Sequence, residues 1–220
     1  METSTAHRAW NTAWSTESGR ENWISPEPDV AELARDLYAS AGARTALDLG
    51  CGVGRHALML ARLGYATTGV DMAENGLNEL RKNAAAERLR IETVVAPMTR
   101  LPIPDASFDF VVAYNVIYHG DADVVRATLA EIRRVLRVGG VYCGTMLSKR
   151  SRALAKGRQV APNTYVWDDR EEEKTHPHFF CDAAELVELL AGLELSYLED
   201  RRGSRSPENR HWHLTAERRS

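Results

Sequence analysis

Three glycines occupy alternate positions in the stretch ALDLGCGVGRHA, residues 46–57, directly behind a short apolar run: Gly50, Gly52 and Gly54. Glycine lacks a Cβ atom, so a turn built from it lets a ligand approach the backbone closely. If a helix begins at this turn, its free N–H groups and the positive end of its dipole point at the same place. The spacing therefore predicts a ligand site where a strand ends and a helix begins.

Two acids accompany this turn. Asp48 lies just inside the end of the apolar run, and Asp71 closes the next predicted strand. A carboxylate at the second position typically accepts hydrogen bonds from ribose hydroxyls. Asp48 could instead cap the N–H groups of the loop, and Asp71 could be an ordinary turn acid. We expect Asp71 to bind a ribose and Asp48 to lie at or near the same ligand.

The register of the glycines separates two classes of cofactor. The dinucleotide fingerprint G-x-G-x-x-G/A requires Gly or Ala at position 55, where this chain has Arg55. The turn resembles instead the acid-x-G-x-G-x-G loop of the class I S-adenosylmethionine (SAM)-dependent methyltransferases. Three further blocks follow in the order of that family, over about residues 44–147: TTGVDM, LPIPDASFDFVVAYNVIYH and IRRVLRVGGVYCGTM. A looser resemblance, to small bacterial methyltransferases of the tellurite-resistance type, rests on the glycine block and on HPHFF.

The resemblance implies SAM as the cofactor. Where the family often has an acid that reaches the adenine amino group, this chain has Pro97, which offers neither a carboxylate nor an N–H. Adenine would then be held by the Met98 N–H and by the side chains of Met72 and Met98. The residues expected to bind the cofactor are Asp48, Gly50, Cys51 (through its backbone), Gly52, Gly54, Asp71, Met72, Pro97, Met98 and Asn115.

The transferred methyl group is expected to face the loop after the fourth strand, which makes Tyr118 and His119 the candidates for catalysis, with Asn115 beside them. Aligning the acceptor with an activated sulfonium supplies ~7–11 kcal/mol, against about 3–5 kcal/mol for a general base. His119 has a suitable pKa to take a proton from a hydroxyl or ammonium. For a thiolate or oxyanion it need only donate a hydrogen bond, and it could also be a structural histidine.

Two histidine pairs raise the question of a metal. His176 and His178, and likewise His211 and His213, would each face one way on an extended segment, and imidazole binds transition metals. Because no carboxylate or cysteine pair stands at a matching spacing, no metal is predicted. His176, His178 and Phe179 are expected to line the substrate pocket together with Tyr118 and His119, and the second pair is expected to be structural.

The N-terminal residues 1–27 are predicted to form an arm or lid. Trp10, Trp14 and Trp23 crowd into a short segment, which is unusual for a disordered one. They could fasten the arm to the core, or they could close over the pocket and exclude water. Trp14 and Trp23 are the expected contacts with the substrate.

Composition limits the partners. The chain has 28 Lys+Arg against 31 Asp+Glu, for a net charge of −3, so it lacks the basic surface typical of nucleic-acid binding. Its three cysteines are too few and too scattered for a disulfide framework, and no apolar run is long enough to cross a membrane. A cytoplasmic protein with a small-molecule substrate is expected, and the sequence does not indicate an oligomeric state.

The elements that must position these residues alternate in type. Continuous apolar runs predict strands over 44–50, 66–71, 90–96, 108–115 and 138–147, and late strands over 195–201 and 211–218. Helical patterns cover 28–41, 54–64, 75–89, 121–136 and 182–194. The alternation predicts an α/β, Rossmann-like sheet of seven strands, five parallel and a C-terminal antiparallel pair, with helices on both faces. Residues 28–220 would form one domain, with the nucleotide-binding core at 44–147 and a substrate-side segment at 148–220.

The predicted function is methyl transfer from SAM to a small molecule: a metabolite, a natural-product intermediate or a metalloid oxyanion. Two alternatives remain open. The protein could bind SAM without catalysis, as a sensor or partner subunit, because the fold is compatible with either role. A nicotinamide-dependent oxidoreductase is disfavoured by the position of Gly54.

Overall fold

The computed structural model of the chain describes residues 5–167, 176–203 and 208–220, so parts of the predicted arm and of segment 148–220 lie outside it. Helices α1 to α7 span Ala6–Trp14, Glu17–Arg20, Pro28–Ser40, Arg55–Arg62, Glu74–Ala86, Ala122–Val135 and Ala183–Leu189. Short 3-10 helices span Glu21–Trp23 and Arg152–Lys156. Strands β1 to β10 span Thr45–Leu49, Ala66–Asp71, Ile91–Val95, Phe108–Ala113, Leu136–Ser148, Arg158–Ala161, Thr164–Val166, His178–Cys181, Glu194–Arg202 and Arg210–Glu217.

The sheet has the predicted Rossmann-like core. Its parallel strands follow the order β3-β2-β1-β4-β5, β10 runs antiparallel to β5, and β9 runs antiparallel to β10. The chain leaves β1 in one direction towards β2 and β3 and returns to the other side at β4, which makes the gap between β1 and β4 the topological switch point. In such sheets ligands bind at the carboxyl ends of the strands at this point. The turn after β1 and the loop after β4 meet there.

Three strands that were not predicted extend the sheet. Leu147 of β5 pairs with His211 of β10 and also with Phe180 of β8, so these two strands lie on opposite sides of β5. β8 therefore continues the side of β5 on which β4 ends at Ala113. It pairs antiparallel with β7, and β7 with β6. This small addition brings residues 178–181 next to the loop that follows β4.

Helices cover both faces, as predicted. Side chains of a strand alternate between faces, and in β1 the side chain of Ala46 packs with α3 and α4. Leu47, its neighbour in the strand, packs in the core that contains α6 and α7. Among the described residues no helix combines the length and the apolar character needed to cross a membrane.

Helix starts follow local chemistry. The Asp121 carboxylate accepts hydrogen bonds from the N–H groups of Asp123 and Val124 and so caps α6. Asp182 and Glu185 form a reciprocal capping box at α7. The cap of α6 fixes where the loop after β4 ends, and the cap of α7 fixes where β8 ends.

Candidate functional site

The glycine turn is required by backbone conformation and by internal packing. Gly50, Gly52 and Gly54 have φ of +66°, +51° and +86°, in the region that favours glycine. A Cβ on Gly50 would lie 2.4 Å from Val116, and one on Gly54 would lie 2.3 Å from Leu80. The missing side chains at Gly50 and Gly54 thus make room for the protein's own residues, while Gly50 and Gly52 also line the pocket described below.

Asp48, in strand β1, caps the first turn of helix α4. Its Oδ2 accepts a hydrogen bond from the Ala57 N–H at 2.8 Å, and its side chain is 2% exposed. Burial raises the pKa of Asp48 to about 7, against the hydrogen bond from Ala57 and the positive charge of Arg55, which lower it. The capping alternative for Asp48 is therefore present in the structure, at a position that also lines the pocket.

Asp71 joins the end of β2 to the glycine turn. Its Oδ2 accepts from the Gly52 N–H and its Oδ1 from the Ala73 N–H, both at 2.7 Å. Burial raises the pKa of Asp71, while these same hydrogen bonds lower it. Each carboxylate oxygen can accept more than one hydrogen bond. The carboxylate therefore both shapes the turn and has acceptor capacity left for a ligand in the pocket that it lines.

A pocket lies at the carboxyl ends of β1, β2 and β4. Its volume is about 920 Å³, including the part that is open to solvent. Most predicted site residues line it: Trp14, Trp23, Asp48, Gly50, Cys51, Gly52, Asp71, Met72, Pro97, Met98, Asn115 and His119. The other predicted residues are not among its lining: Gly54, Tyr118, His176, His178 and Phe179. Further lining residues were not predicted as site residues, including His7, Trp10, Arg55, His56 and Tyr114.

Asn115 adopts a left-handed backbone conformation, with φ of +61°. Asparagine tolerates this region better than most residues, but the conformation still has to be held by its surroundings. Thr145 holds it on both sides, because its Oγ1 accepts from the Asn115 N–H at 2.8 Å and donates to Asn115 Oδ1 at 3.1 Å. The loop after β4 is therefore fixed where it enters the pocket.

The N-terminal arm packs onto the glycine turn. The Trp10 and Trp14 rings stack with centroids 4.9 Å apart, and Trp23 meets both edge-on. Trp14 is 6% exposed and lies against Gly52, where a Cβ would be 2.9 Å from its ring. Trp10 was missed as a pocket residue, although its spacing of four from Trp14 would have placed both on one helix face.

Arg55 and His56 connect the start of α4 to the linker before α3. The Arg55 guanidinium pairs with Glu27 at 2.9 Å and lies 5.2 Å from the centroid of the Trp23 ring. The Glu27 N–H donates to His56 Nε2 at 3.2 Å. Both residues therefore pack and pair at the helix start, and they also line the pocket.

Three buried histidines meet beside the pocket: His119, His176 and His178. Their potential ligand nitrogens all lie within 4.8 Å of one another. His119 Nδ1 is 2.8 Å from His176 Nε2, and His119 Nε2 is 3.1 Å from the Asn115 carbonyl oxygen. Burial lowers the pKa of His119 and lowers that of His176 to about 4, so neutral rings are favoured. We call these three residues the histidine cluster.

Fold and site together define a nucleotide-binding α/β protein with its ligand at the topological switch point. Residues 46–140 match the family described as "Methyltransferase domain". The chain belongs to the class I SAM-dependent methyltransferases, whose cofactor is SAM. The predicted family, fold and cofactor are thereby confirmed.

Two curated relatives and one solved structure illustrate the likeness. A ubiquinone biosynthesis O-methyltransferase of Methylocella silvestris is 31% identical over 177 residues, 78% of this chain and 66% of the relative. The probable SAM-dependent methyltransferase TehB of Haemophilus influenzae is 33% identical over 124 residues, 55% of this chain and 43% of the relative. The chain thus spans between 43% and 66% of the length of these two relatives.

The solved structure is a 1,6-didemethyltoxoflavin-N1-methyltransferase of Burkholderia thailandensis, with S-adenosylhomocysteine and its substrate bound. It superposes with a TM-score of 0.70 at 22% identity, covering 98% of this chain and 88% of that one. At this identity the likeness concerns the fold. It extends over nearly the whole chain, beyond the matched family domain.

Replacing Gly54 with alanine tests the account of the glycine turn. We expect Gly54→Ala to lower the free energy of unfolding by more than the ~1–3 kcal/mol of backbone strain alone, because the new Cβ meets Leu80. Gly42→Ala is the matched control, since Gly42 has φ of +68° and open space around it. Urea unfolding measures both. Equal losses in the two variants would show that packing against Leu80 contributes nothing.

Proposed function

We propose that the protein transfers the methyl group of SAM to a small-molecule acceptor. The observation that carries this proposal is one continuous pocket, with the glycine turn and Asp71 at one side and Asn115 and His119 at another. Two relatives and the superposed structure have names that indicate methylation of small molecules or dependence on SAM. The acceptor classes remain those expected from the sequence: a metabolite, a natural-product intermediate or a metalloid oxyanion. The balanced charge of the chain gives no support for nucleic acid as a partner.

Within this proposal the turn and its acids bind the cofactor. Asp71 would accept hydrogen bonds from the ribose while its oxygens keep the Gly52 and Ala73 N–H groups. Met72, which is 36% exposed, and Met98 would contact adenine beside Pro97. A buried carboxylate that holds its own loop can therefore also hold the sugar, with no rearrangement of the turn.

On the side of the pocket proposed to bind the methyl acceptor, the residues are better placed to align the acceptor with the methyl group than to remove its proton. A backbone carbonyl only accepts, so His119 Nε2 carries the hydrogen that bonds Asn115 O. His119 Nδ1 then accepts from His176 Nε2. Because both ring nitrogens are engaged, His119 is poorly placed to act as a general base. The Tyr118 ring lies 4.6 Å from that of His119, which supports a positioning role for Tyr118.

We further propose that the arm is a lid. Trp10, Trp14 and Trp23 line the pocket and pack on the turn, so entry and exit of the cofactor would require α1 to move. Asn11 fastens α1 to the start of α5. Its Oδ1 accepts from the Asn75 N–H and its carbonyl oxygen accepts from Asn75 Nδ2, both at 2.9 Å.

Catalysis is tested by turnover. We expect the purified protein, incubated with SAM and a panel of thiols, amines, phenols and oxyanions, to produce S-adenosylhomocysteine above the rate without acceptor. Chromatography of the nucleoside products measures it. Tight binding of SAM with no product from any class of acceptor would favour the alternative of a non-catalytic binding module. Preferential binding of NAD would favour the oxidoreductase.

Removing the Asp71 carboxylate tests the placement of the ribose. We expect Asp71→Ala to weaken binding of S-adenosylhomocysteine about tenfold or more, since about two hydrogen bonds are lost. The 2′,3′-dideoxy analogue separates this effect from damage to the turn: it should bind more weakly than the parent to the wild type, and equally to the parent in the variant. Calorimetry measures both ligands, with Asp36→Ala as the surface control. Unchanged discrimination between the two ligands in the variant would place the ribose elsewhere.

Loosening the arm should speed release of the cofactor. Asn11→Ala removes the acceptor of one hydrogen bond to Asn75, about 1 kcal/mol or roughly fivefold in the dissociation rate. Thr12→Ala is the control on the same helix, because the Thr12 hydroxyl is exposed and bonds only within α1. Stopped-flow measurement of tryptophan fluorescence reports the rate. A lid is contradicted if both variants release the cofactor as slowly as the wild type.

A further inference from the structure

The histidine cluster is assembled by the strands that the sequence did not predict. His119 comes from the loop after β4. His178 is the first residue of β8, and His176, which follows His119 by 57 residues, lies just before that strand. The Phe179 N–H donates to the Tyr118 carbonyl oxygen at 2.9 Å and so fastens β8 to that loop. In the sequence, His176 and His178 had no third metal ligand at a suitable spacing. In the structure, His119 lies where it can be that ligand.

We propose that the histidine cluster binds one divalent transition-metal ion of the class typified by Zn²⁺, and that this ion holds an oxygen or sulfur atom of the methyl acceptor. Three imidazoles with one open position are the ligand set of catalytic zinc sites. His119 is the member of the cluster that lines the pocket, so an ion held by all three would lie at the edge of the pocket.

The hydrogen bonds of the rings match the outer shell of a metal site. A metal-binding histidine usually donates its second N–H to a backbone carbonyl or carboxylate, which orients the ring. His119 Nε2 bonds the Asn115 carbonyl oxygen, and His178 Nδ1 bonds the His176 carbonyl oxygen at 2.8 Å. These bonds direct His119 Nδ1 and His178 Nε2 to act as ligand atoms.

His176 carries an independent sign of a missing partner. Its Nδ1 is buried and has no hydrogen-bond partner within residues 5–167, 176–203 and 208–220. A buried polar nitrogen without a partner costs about 1–3 kcal/mol. If the ring turns to bring Nδ1 onto an ion, that nitrogen gains the partner that it lacks.

The spacing of the nitrogens suits a small ion. Two nitrogens bound to one zinc at ~2.0–2.1 Å lie roughly 3.3 Å apart in a tetrahedron. His119 Nδ1 and His176 Nε2 are 2.8 Å apart, and all three ligand atoms fit within 4.8 Å. An ion would replace the hydrogen bond between His119 and His176, and ring rotations would bring each pair of nitrogens to this spacing.

The surroundings favour a metal over an anion. The rings around the histidine cluster are aromatic: Trp10 lies 5.9 Å from His119, and Trp167 lies 5.5 Å from His178. Three neighbouring imidazoles in such an apolar setting repel one another when protonated, so the cluster is a poor site for an oxyanion. Neutral imidazole is the form that binds transition metals.

The role of the ion rests on the proposed methyl transfer, whereas binding of the ion does not. A bound hydroxyl or thiol loses its proton to water more readily, because the metal stabilises the resulting anion. A lone pair of that oxygen or sulfur then forms the bond to the methyl carbon. The carbon–sulfur bond of the sulfonium breaks, its electron pair stays on sulfur, and S-adenosylhomocysteine leaves.

Titration of the full chain, after treatment with a chelator and dialysis, tests the site. We expect calorimetry to show one Zn²⁺ bound per chain and Co²⁺ to give the visible absorption of a nitrogen-ligated ion. His119→Gln, His176→Gln and His178→Gln should each bind at least tenfold more weakly. His213→Gln, which removes a histidine outside the cluster, should bind as the wild type does.

X-ray absorption of the Zn²⁺-loaded wild type keeps the test valid if a variant fails to fold, and three imidazole ligands are expected. Absence of stoichiometric binding by the wild type, or undiminished binding by folded cluster variants, overturns the proposal. Calorimetry with SAM before and after loading keeps the two proposals apart. Failure of SAM to bind would count against methyl transfer, and failure of Zn²⁺ to bind would count against the metal site alone.

Discussion

The hydrogen bond between the Gly52 N–H and the Asp71 carboxylate is the interaction on which the pocket depends. It joins the turn after β1 to the end of β2, at 2.7 Å in a largely buried setting, where an unmade bond to a carboxylate is costly. The turn that it holds provides the surface on which Trp14 packs. In the same way, Asp48 joins the end of β1 to the start of α4 by accepting a hydrogen bond from the Ala57 N–H. Both buried carboxylates thus already accept hydrogen bonds from backbone N–H groups before any ligand binds.

The parallel core could be predicted because its strands are covered on both faces and read as continuous apolar runs. All seven predicted strands and five predicted helices are present; β2 has its predicted ends, and each of the other elements differs at one end or both. β6 and β7 were missed because Arg158–Ala161 and Thr164–Val166 are short and show no apolar period. β8 is apolar and buried but has only four residues. α1 was missed because Ala6–Trp14 reads as a polar segment, and its contacts with α5 are non-local.

The part of the site that a local sequence motif defines, the glycine turn, could be located from the sequence. The glycine turn lies between β1 and α4, as predicted, and the sequence did not predict that Val116 and Leu80 lie where the Cβ atoms of Gly50 and Gly54 would be. The sequence placed His176 and His178 at the same pocket as His119, but it did not predict the direct contact between the His119 and His176 rings. This contact depends on β8 joining β5 beyond the end of β4, a pairing of only two residues on each strand. A contact of that kind leaves no periodic signal in the sequence.

The charges of the two ends of the pocket constrain the acceptor. The carboxyls of Asp48 and Asp71 lie at the turn, and in their ionised form they would offset the positive charge of a bound sulfonium. A metal ion on the histidine cluster would add a second cation, and the neutral imidazoles cannot offset it. An acceptor bound as an oxyanion or thiolate between the two would offset part of this positive charge. Burial under Trp10 and Trp14 strengthens charge interactions in the pocket. If the protein both transfers a methyl group and binds the proposed ion, a phenol, thiol or oxyanion would therefore suit the site better than a neutral amine.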